Sequence, residues 1–163
     1  MDELLLRGER VKLIGLETHV AVEEMEKYES ITLNCRQGDP TESIFFRIQD
    51  ENDGHEVGLV GLTDINSMTG TAYAWLGIGD RARPDHMHEM EAIMLVLRYA
   101  YEQLRVYRVN LDLVSSDEKR ISFFEDCGFR YEGAQREAVS VEGTRLDIIH
   151  MGALRVEWTG STT

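Results

Sequence analysis

Apolar positions along this chain follow two spacings, one typical of helices and one typical of strands. The helical spacing is clearest from 87 to 104, where it is set by Met90, Ile93, Met94, Leu97, Ala100, Tyr101 and Leu104. Polar and apolar residues alternate from Tyr107 to Leu113, as in a strand that buries one face. A strand, a helix and a strand in this order predict that strands 71–78 and 107–113 are parallel neighbours joined by a right-handed crossover.

The rest of the pattern predicts shorter elements. Helices are expected over 18–28 and 116–126, and further strands over 10–13, 44–49, 57–65, 129–141 and 145–154. Turn residues separate the strands 44–49, 57–65 and 71–78, so these three are expected to be antiparallel. Because helices interleave with a mixed sheet, the order of elements predicts an α/β or α+β class.

Length and composition fit one globular domain. The chain has 163 residues, of which 42% are hydrophobic. We expect a single domain over 1–158 and a flexible polar tail over 159–163. No apolar run approaches the ~18 residues that span a bilayer, and the acidic residues after Met1 do not resemble a signal peptide. We therefore expect a cytoplasmic protein without membrane contact.

The acidic surplus of the chain bears on its partners. The formal net charge is -13, from 30 acidic and 17 basic residues. A field of this sign repels phosphate backbones, so nucleic-acid binding is not expected. It favours cationic partners, although solubility alone also accounts for it. The sequence leaves the oligomeric state open, and a homodimer is one assembly compatible with it.

Four parts of the chain resemble one known family. They are Leu6-Arg7-Gly8-Glu9-Arg10-Val11, the stretch 98–104 with 107–111, then Phe123-Phe124-Glu125-Asp126-Cys127-Gly128-Phe129, and the last hairpin, with Gly143 before Asp147 and Met151-Gly152. With the order of elements, they are similar to the GNAT acyltransferase superfamily, in the branch that acetylates the N-termini of ribosomal proteins and related amines. The resemblance covers roughly the whole chain. It implies a mixed, mostly antiparallel sheet of six to seven strands, with helices on both faces and one splayed parallel pair.

The resemblance also implies a cofactor and its place. In this superfamily acetyl-CoA lies in the gap between two splayed parallel strands, here 71–78 and 107–113. Its pantetheine arm would pair with the strand backbone at Trp75, Leu76, Gly77 and Ile78. Its pyrophosphate would lie at the start of the helix that begins near Met87, with Met90 in the same turn. A helix start suits an anion because it carries unpaired N–H donors and partial positive charge.

The loop before this helix departs from the family pattern. The family motif is R/Q-x-x-G-x-G/A, where this chain reads Pro84-Asp85-His86-Met87-His88-Glu89. Met87 and Glu89 stand at the glycine positions, and their side chains obstruct close approach of a phosphate. The carboxylates of Asp85 and Glu89 also oppose an anion. Weak binding of acetyl-CoA is therefore expected, with Arg81 and Arg83 as flexible side chains that contribute some affinity.

A second departure concerns the helix 116–126. The resemblance assigns to this helix an asparagine near its start and a tyrosine that protonates the departing CoA thiolate. The matching residues here are Asp117 and Phe124. Phenylalanine has no proton to donate. Many relatives in this branch also lack the tyrosine, so this departure alone does not exclude acyl transfer.

Two histidines and a carboxylate are the candidate catalytic groups. His86, His88 and Glu89 border the predicted cofactor gap, and histidine titrates near neutral pH. His86 is the preferred proton acceptor, because His88 lies between two former glycine positions and its side chain can turn away. With Asp85 these residues are also potential metal ligands, but their spacing does not match a helical zinc pair, so no metal is expected. His150, in the last strand, faces the cleft in one register, although a structural polar residue is the simpler interpretation.

Three functions are compatible with the sequence. The first is an N-acyltransferase that moves an acetyl or other acyl group from CoA to an amine of a small molecule or peptide. The second is a protein of this fold that has lost CoA dependence and binds a small molecule, or catalyses a different acid–base reaction in the old cleft. The third is a scaffold subunit with an empty cleft. The acidic surface suits a cationic amine, and the altered loop favours the second function.

Overall fold

A computed structural model describes residues 4–33, 42–79, 85–114 and 118–158. The nine strands within these ranges form one sheet. They are β1 (Leu5–Arg7), β2 (Val11–Leu16), β3 (Glu29–Ser30), β4 (Ile44–Asp50), β5 (Glu56–Asn66), β6 (Thr71–Ile78), β7 (Arg108–Val114), β8 (Arg130–Val141) and β9 (Thr144–Leu154). The order across the sheet is β1-β2-β4-β5-β6-β7-β9-β8, and β3 pairs with β6 beside this path.

The pairing of the strands follows the turn signals of the sequence. Two hairpins make β4, β5 and β6 antiparallel, and β6 and β7 are parallel neighbours. These findings confirm the mixed, mostly antiparallel sheet and its parallel pair. The predicted count of six to seven strands is too low, because β1 and β3 were missed. They are only three and two residues long, too short to show an alternating pattern.

Three helices, α1 (Thr18–Glu24), α2 (Met87–Glu102) and α3 (Glu118–Asp126), cover both faces of the sheet. Ile93 of α2 and Phe124 of α3 belong to the larger apolar core. Ala21 of α1 lies in a smaller cluster with Trp75, on the opposite face. The predicted placement of helices on both faces is therefore confirmed. None of the helices in the described ranges is long and apolar enough to cross a membrane.

The first helix is shorter than the predicted helix 18–28. It ends at Glu24, and a 3₁₀ turn, Met25–Lys27, follows. Glu17 occupies the N-cap position and makes no side-chain capping bond. The 3₁₀ turn and Tyr28 lead the chain into β3, which pairs with β6.

Gly8 allows a close contact between the sheet and α2. A side chain at this position would collide with the carboxylate of Glu91. That carboxylate accepts hydrogen bonds from the amides of Arg10 and Val11 at 2.8 and 3.0 Å. The contact anchors the first turns of α2 to the turn between β1 and β2, which gives the Gly-Glu-Arg-Val sequence a structural reason.

Candidate functional site

The strands β6 and β7 share only a short stretch of pairing. Their register runs from Thr71 opposite Arg108 to Tyr73 opposite Asn110. Beyond this stretch β6 stays paired with β5, and β7 stays paired with β9. The two strands therefore separate toward their C-terminal ends and leave a gap, as expected for a splayed parallel pair.

A short piece of the chain itself lies in this gap. It is the segment Glu29–Leu33, here called the gap segment, which follows the 3₁₀ turn after α1. Its first two residues form β3 and pair antiparallel with Ile78 and Gly77 of β6. Because β5 occupies the other edge of β6, the gap segment covers the edge that β7 leaves.

Hydrogen bonds join the gap segment to both separated strands. The amide of Ile31 donates to the carbonyl of Leu76 at 2.8 Å, and the amide of Leu76 donates to Thr32 Oγ1 at 3.2 Å. On the other side, the amide of Leu33 donates to the carbonyl of Asp112 at 2.8 Å. Ile31 and Thr32 are buried. The backbone of Leu76 is thus satisfied toward the gap by the chain itself.

The gap segment stands between two cavities. The first, here called the Trp75 cavity, has a volume of 330 Å³, and its lining includes Met25, Glu26, Ile31, Trp75 and Val114. The second, the His86 cavity, has a volume of 400 Å³, and its lining includes Ile31, Ile78, His86, Lys119 and Phe123. Ile31 of the gap segment and Arg120 of α3 line both cavities, so these two side chains lie between them.

The start of α2 is capped by its own residues. His86 precedes the helix with a left-handed backbone, at φ 54°. The amide of Met87 donates to the carboxylate of Asp85 at 3.1 Å. This N–H donor is therefore engaged by a negative side chain, which takes the place that an external anion would need.

Glu89 brings a second carboxylate to this helix start. Its side chain is fully buried, and neither oxygen has a hydrogen-bond partner among the described residues. Burial raises the pKa of Glu89, because a charged carboxylate is poorly solvated there. His86 Nδ1 lies 3.7 Å from Glu89 Oε2. The structure thus brings two of the three predicted catalytic residues together.

His88 points elsewhere. Its Nε2 lies 2.7 Å from Asp50 Oδ2, at the end of β4, and its side chain is buried. The hydrogen bond from His88 is the main cause that lowers the pKa of Asp50 to about 2. This contact holds the hairpin between β4 and β5 against α2, so the structure separates His88 from His86 and Glu89.

The same hairpin gathers three groups that are able to ligate a cation. Ligand atoms of Asp50, Asp53 and His55 lie within 4.8 Å of one another. Asp50 Oδ1 accepts the amides of Asn52 and Asp53 at 2.8 and 3.1 Å, and His55 Nδ1 lies 2.5 Å from Asp53 Oδ1. The three groups are therefore engaged in contacts that shape the turn.

Several predicted cofactor residues have their side chains in the core. Trp75, Leu76 and Phe124 are buried, and Phe124 packs against Phe129 rather than facing the gap. At Gly77 an added Cβ would lie 2.5 Å from the indole ring of Trp75, so packing alone requires a glycine there.

The remaining predicted cofactor residues lie near the His86 cavity or outside the described ranges. Ile78 lines that cavity. Met87 and Met90 are half-buried in the first turn of α2, and Met90 packs against the core. Arg81, Arg83 and Asp117 lie outside the described residues, so their contribution stays a prediction.

A histidine–carboxylate pair that the sequence did not single out lies beside the gap. Asp112 of β7 and His150 of β9 are directly opposite in register, and His150 Nδ1 lies 2.7 Å from Asp112 Oδ1. Asp112 lies between Leu111 and Leu113, which belong to the larger core, so its side chain points to the face that carries Trp75. Asp112 is buried and His150 half-exposed.

In this conformation the described residues do not fit acetyl-CoA. The strand edge that a pantetheine chain would use is occupied by the gap segment. The helix start that a pyrophosphate would use carries Asp85 on its first amide and the buried Glu89 beside it. A carboxylate about 5 Å from a phosphate costs on the order of a few kcal/mol at an effective dielectric near 20.

Comparisons with known proteins agree on one family. A sequence model described as "Acetyltransferase (GNAT) domain" matches residues 8–150. The chain is 29% identical over 108 residues to the SPbeta prophage-derived uncharacterized N-acetyltransferase YokL of Bacillus subtilis, covering 66% of this chain and 60% of that protein. It is 32% identical over 65 residues to the putative ribosomal N-acetyltransferase YdaF of the same organism, covering 40% of this chain and 36% of that protein. The chain therefore spans less than two thirds of the length of either relative.

Solved structures share the fold. The spermidine/spermine N-acetyltransferase SpeG from Vibrio cholerae, in complex with manganese ions, superposes with a TM-score of 0.74 at 19% identity, covering 94% of this chain and 98% of that one. A mutant of spermidine N-acetyltransferase SpeG from the same organism gives 0.78 at 18% identity, covering 96% of this chain and 100% of that one. At this identity the likeness concerns the fold alone.

Proposed function

Because this chain belongs to the GNAT acetyltransferase family, we propose that it is an N-acyltransferase that acts on an amine of a small molecule or a peptide. The observation that carries the proposal is the pair His150–Asp112, at 2.7 Å, in which Asp112 belongs to β7, the strand that borders the gap, and His150 to the neighbouring strand β9. It supplies a proton acceptor on the same face of the sheet as the Trp75 cavity.

The chemistry of His150 suits this role. With Asp112 ionised, the ring donates its Nδ1 proton to the carboxylate, so the acceptor lone pair is at Nε2. An amine is protonated near neutral pH and must lose a proton to become a nucleophile. His150 Nε2 takes this proton, and the buried Asp112 stabilises the imidazolium that forms.

A cationic amine is the substrate class that the charges favour. The lining of the Trp75 cavity includes Glu26 and Arg120, and Arg120 is paired with Glu29 at 2.6 Å. The carboxylate of Glu26 and the net charge of -13 attract a cation and raise its local concentration. Polyamines belong in the first substrate panel, since the structures that share this fold include spermidine N-acetyltransferases.

The proposal takes acyl-CoA as the donor, bound weakly. The reason for weak binding is the poor fit of the described conformation, in which Asp85 and the buried Glu89 oppose an anion at the start of α2.

The same two carboxylates favour a second candidate function. In it, the chain binds a small molecule in one of the two cavities without using CoA, as a sequestering or accessory protein. His86 and Glu89, 3.7 Å apart, would then be the acid–base groups of any different reaction in the His86 cavity.

Acetyl transfer by two single variants separates these functions. With acetyl-CoA at millimolar concentration and a panel of polyamines and peptide amines, we expect slow transfer by the wild type. His150→Gln should lower kcat at least ~10²-fold, the contribution typical of a general base. His86→Gln is the matched variant, because it changes the same kind of side chain on the other side of the gap segment.

Each outcome of this assay assigns a role. Loss of acetyl transfer in His86→Gln, with transfer by His150→Gln unaffected, would mean that the proton acceptor is His86 and not His150. No transfer by the wild type to any amine, with a ligand found by thermal shift, would favour the second function.

A further inference from the structure

The gap segment makes contacts of the kind that an extended ligand would make. Residues 29 and 30 add a strand to β6, and the Leu76 carbonyl and amide are both engaged by the next two residues. A linear diamide such as the pantetheine arm would need the same edge, since hydrogen bonds from a strand edge serve one partner at a time. We infer that Glu29–Leu33 is an intramolecular occupant of the donor gap, which must leave before an acyl donor can bind.

Side chains of the segment hold it in place. The Leu76 amide donates a hydrogen bond to the Thr32 hydroxyl at 3.2 Å, instead of to a backbone carbonyl. Thr32 is almost fully buried. Ser30 Oγ donates to the Thr32 carbonyl at 2.7 Å, which fixes the bend of the segment. Arg120 of α3 pairs with Glu29 at 2.6 Å. These contacts tie the segment to both the strand and the helix that border the His86 cavity.

Occupation of the gap also separates donor from acceptor. The His86 cavity lies toward the starts of α2 and α3, and the Trp75 cavity lies on the face that carries His150 and Asp112. Ile31 and Arg120 line both cavities, and Arg120 is paired with Glu29 of the segment. With the segment in place, these side chains therefore stand between an acyl group in one cavity and an amine in the other.

The backbone connects the gap segment to the Trp75 cavity, where the amine is proposed to bind, so a bound amine can affect the position of the segment. It follows directly on the 3₁₀ turn, whose Met25 and Glu26 line the Trp75 cavity. A cation that binds at Glu26 acts on the chain five residues before Ile31. The chemical class that releases the segment is thus the amine substrate itself. In this respect the inference rests on the proposed function.

Locking the segment tests the inference directly. Glu29 and Ile78 are Cα partners in an antiparallel pair, a spacing compatible with a disulfide. We would prepare Glu29→Cys/Ile78→Cys with Cys35→Ser, and titrate CoA calorimetrically into the oxidised and reduced forms. The oxidised form should not bind CoA at millimolar concentration, and reduction should restore binding. The control is a disulfide from Asn66→Cys/Thr71→Cys with Cys35→Ser, partners in the β5–β6 hairpin that do not touch the segment.

Weakening the segment should have the opposite effect. Thr32→Val keeps the shape of the side chain and removes the acceptor for the Leu76 amide. Loss of one hydrogen bond should favour release and tighten CoA binding roughly 2- to 10-fold. Thr144→Val, the same change at the exposed first residue of β9, should leave CoA binding unchanged.

The outcomes distinguish this inference from the proposed function. Equal CoA binding by the oxidised and reduced forms overturns the inference, whatever the transfer assay shows. So does the absence of CoA binding in every variant, because exclusion would then come from the start of α2. Tighter binding in Thr32→Val without transfer to any amine supports the inference and contradicts the proposed function. A polyamine that tightens CoA binding to the wild type but not to Thr32→Val supports release by the amine.

Discussion

At the scale of single residues, Glu89 is the side chain whose surroundings differ most from what its sequence position indicates. A glutamate in the first turn of a helix is ordinarily an exposed group that stabilises the helix dipole. Here it is fully buried, without a hydrogen-bond partner in the described part of the chain. It therefore fills space at the helix start instead of only adding charge to it.

The burial of Glu89 predicts a pH dependence of stability. Burial raises its pKa in the folded chain, whereas in the unfolded chain a glutamate titrates near 4.3. The folded state then holds more protons between these values, so its contribution to stability falls as the pH rises through them. Glutamine does not ionise, so Glu89→Gln removes this loss of stability at high pH. The melting temperature of the variant, measured as a difference from wild type, should therefore be higher at pH 8 than at pH 5.

A matched variant keeps this prediction specific. Glu102→Gln makes the same change at the exposed end of α2, and its melting temperature relative to wild type should differ little between pH 5 and pH 8. If the melting temperature of Glu89→Gln differs from that of the wild type by the same amount at pH 5 and at pH 8, Glu89 is ionised and solvated in the folded chain.

Other single residues show where sequence reasoning succeeds and where it fails. His88 was expected to be able to turn away from the cleft, and it does so toward Asp50. His150 was left as a structural polar residue, because its partner Asp112 is 38 residues away. Only the register of β7 against β9 brings the two together, and alternation within one strand cannot show that register.

At the scale of elements, the long amphipathic helix and the hairpin strands were predicted nearly to their ends, since each has a clear period of its own. The short strand β3 was not, because two residues carry no period. No element was predicted for these two residues, yet the pairing of β3 with β6 fills the gap that the parallel strands leave. An element of two residues thus changes the functional interpretation of the site.

The start of α2 gives the prediction that belongs to this scale. Restoring glycine at both family positions, Met87→Gly/Glu89→Gly, should strengthen CoA binding, because the side chains that crowd the phosphate position are removed. The same variant should lose ~1 kcal/mol or more of stability, as two glycines in a helix do. Calorimetric titration and chemical denaturation measure the two effects.

A control variant that also places two glycines in α2 separates the effect on CoA binding from the effect on stability. Arg98→Gly/Glu102→Gly places two glycines in the last turns of α2, far from the helix start, and should lower stability without changing CoA binding. Unchanged CoA affinity in Met87→Gly/Glu89→Gly would assign the exclusion of CoA to the gap segment alone.

At the scale of the whole molecule, the family was already recognisable from the sequence, and the comparisons confirm it. The sequence also predicts the altered loop, because Met87 and Glu89 stand where the family motif has glycines. The closed gap was not recognised, because it depends on the path of the chain after α1 rather than on a motif. The proposed function and the proposed closure both concern this gap, which the family uses for its donor.

Titration of acetyl-CoA into the wild-type chain at physiological salt tests the account most directly. Occupation of the gap by residues 29–33 and the carboxylates at the start of α2 both oppose the donor. We therefore expect a Kd no tighter than about 100 μM, equivalent to a binding free energy weaker than about -5.5 kcal/mol. A Kd in the low micromolar range would contradict the account, because it would mean that acetyl-CoA meets an open gap and a receptive helix start.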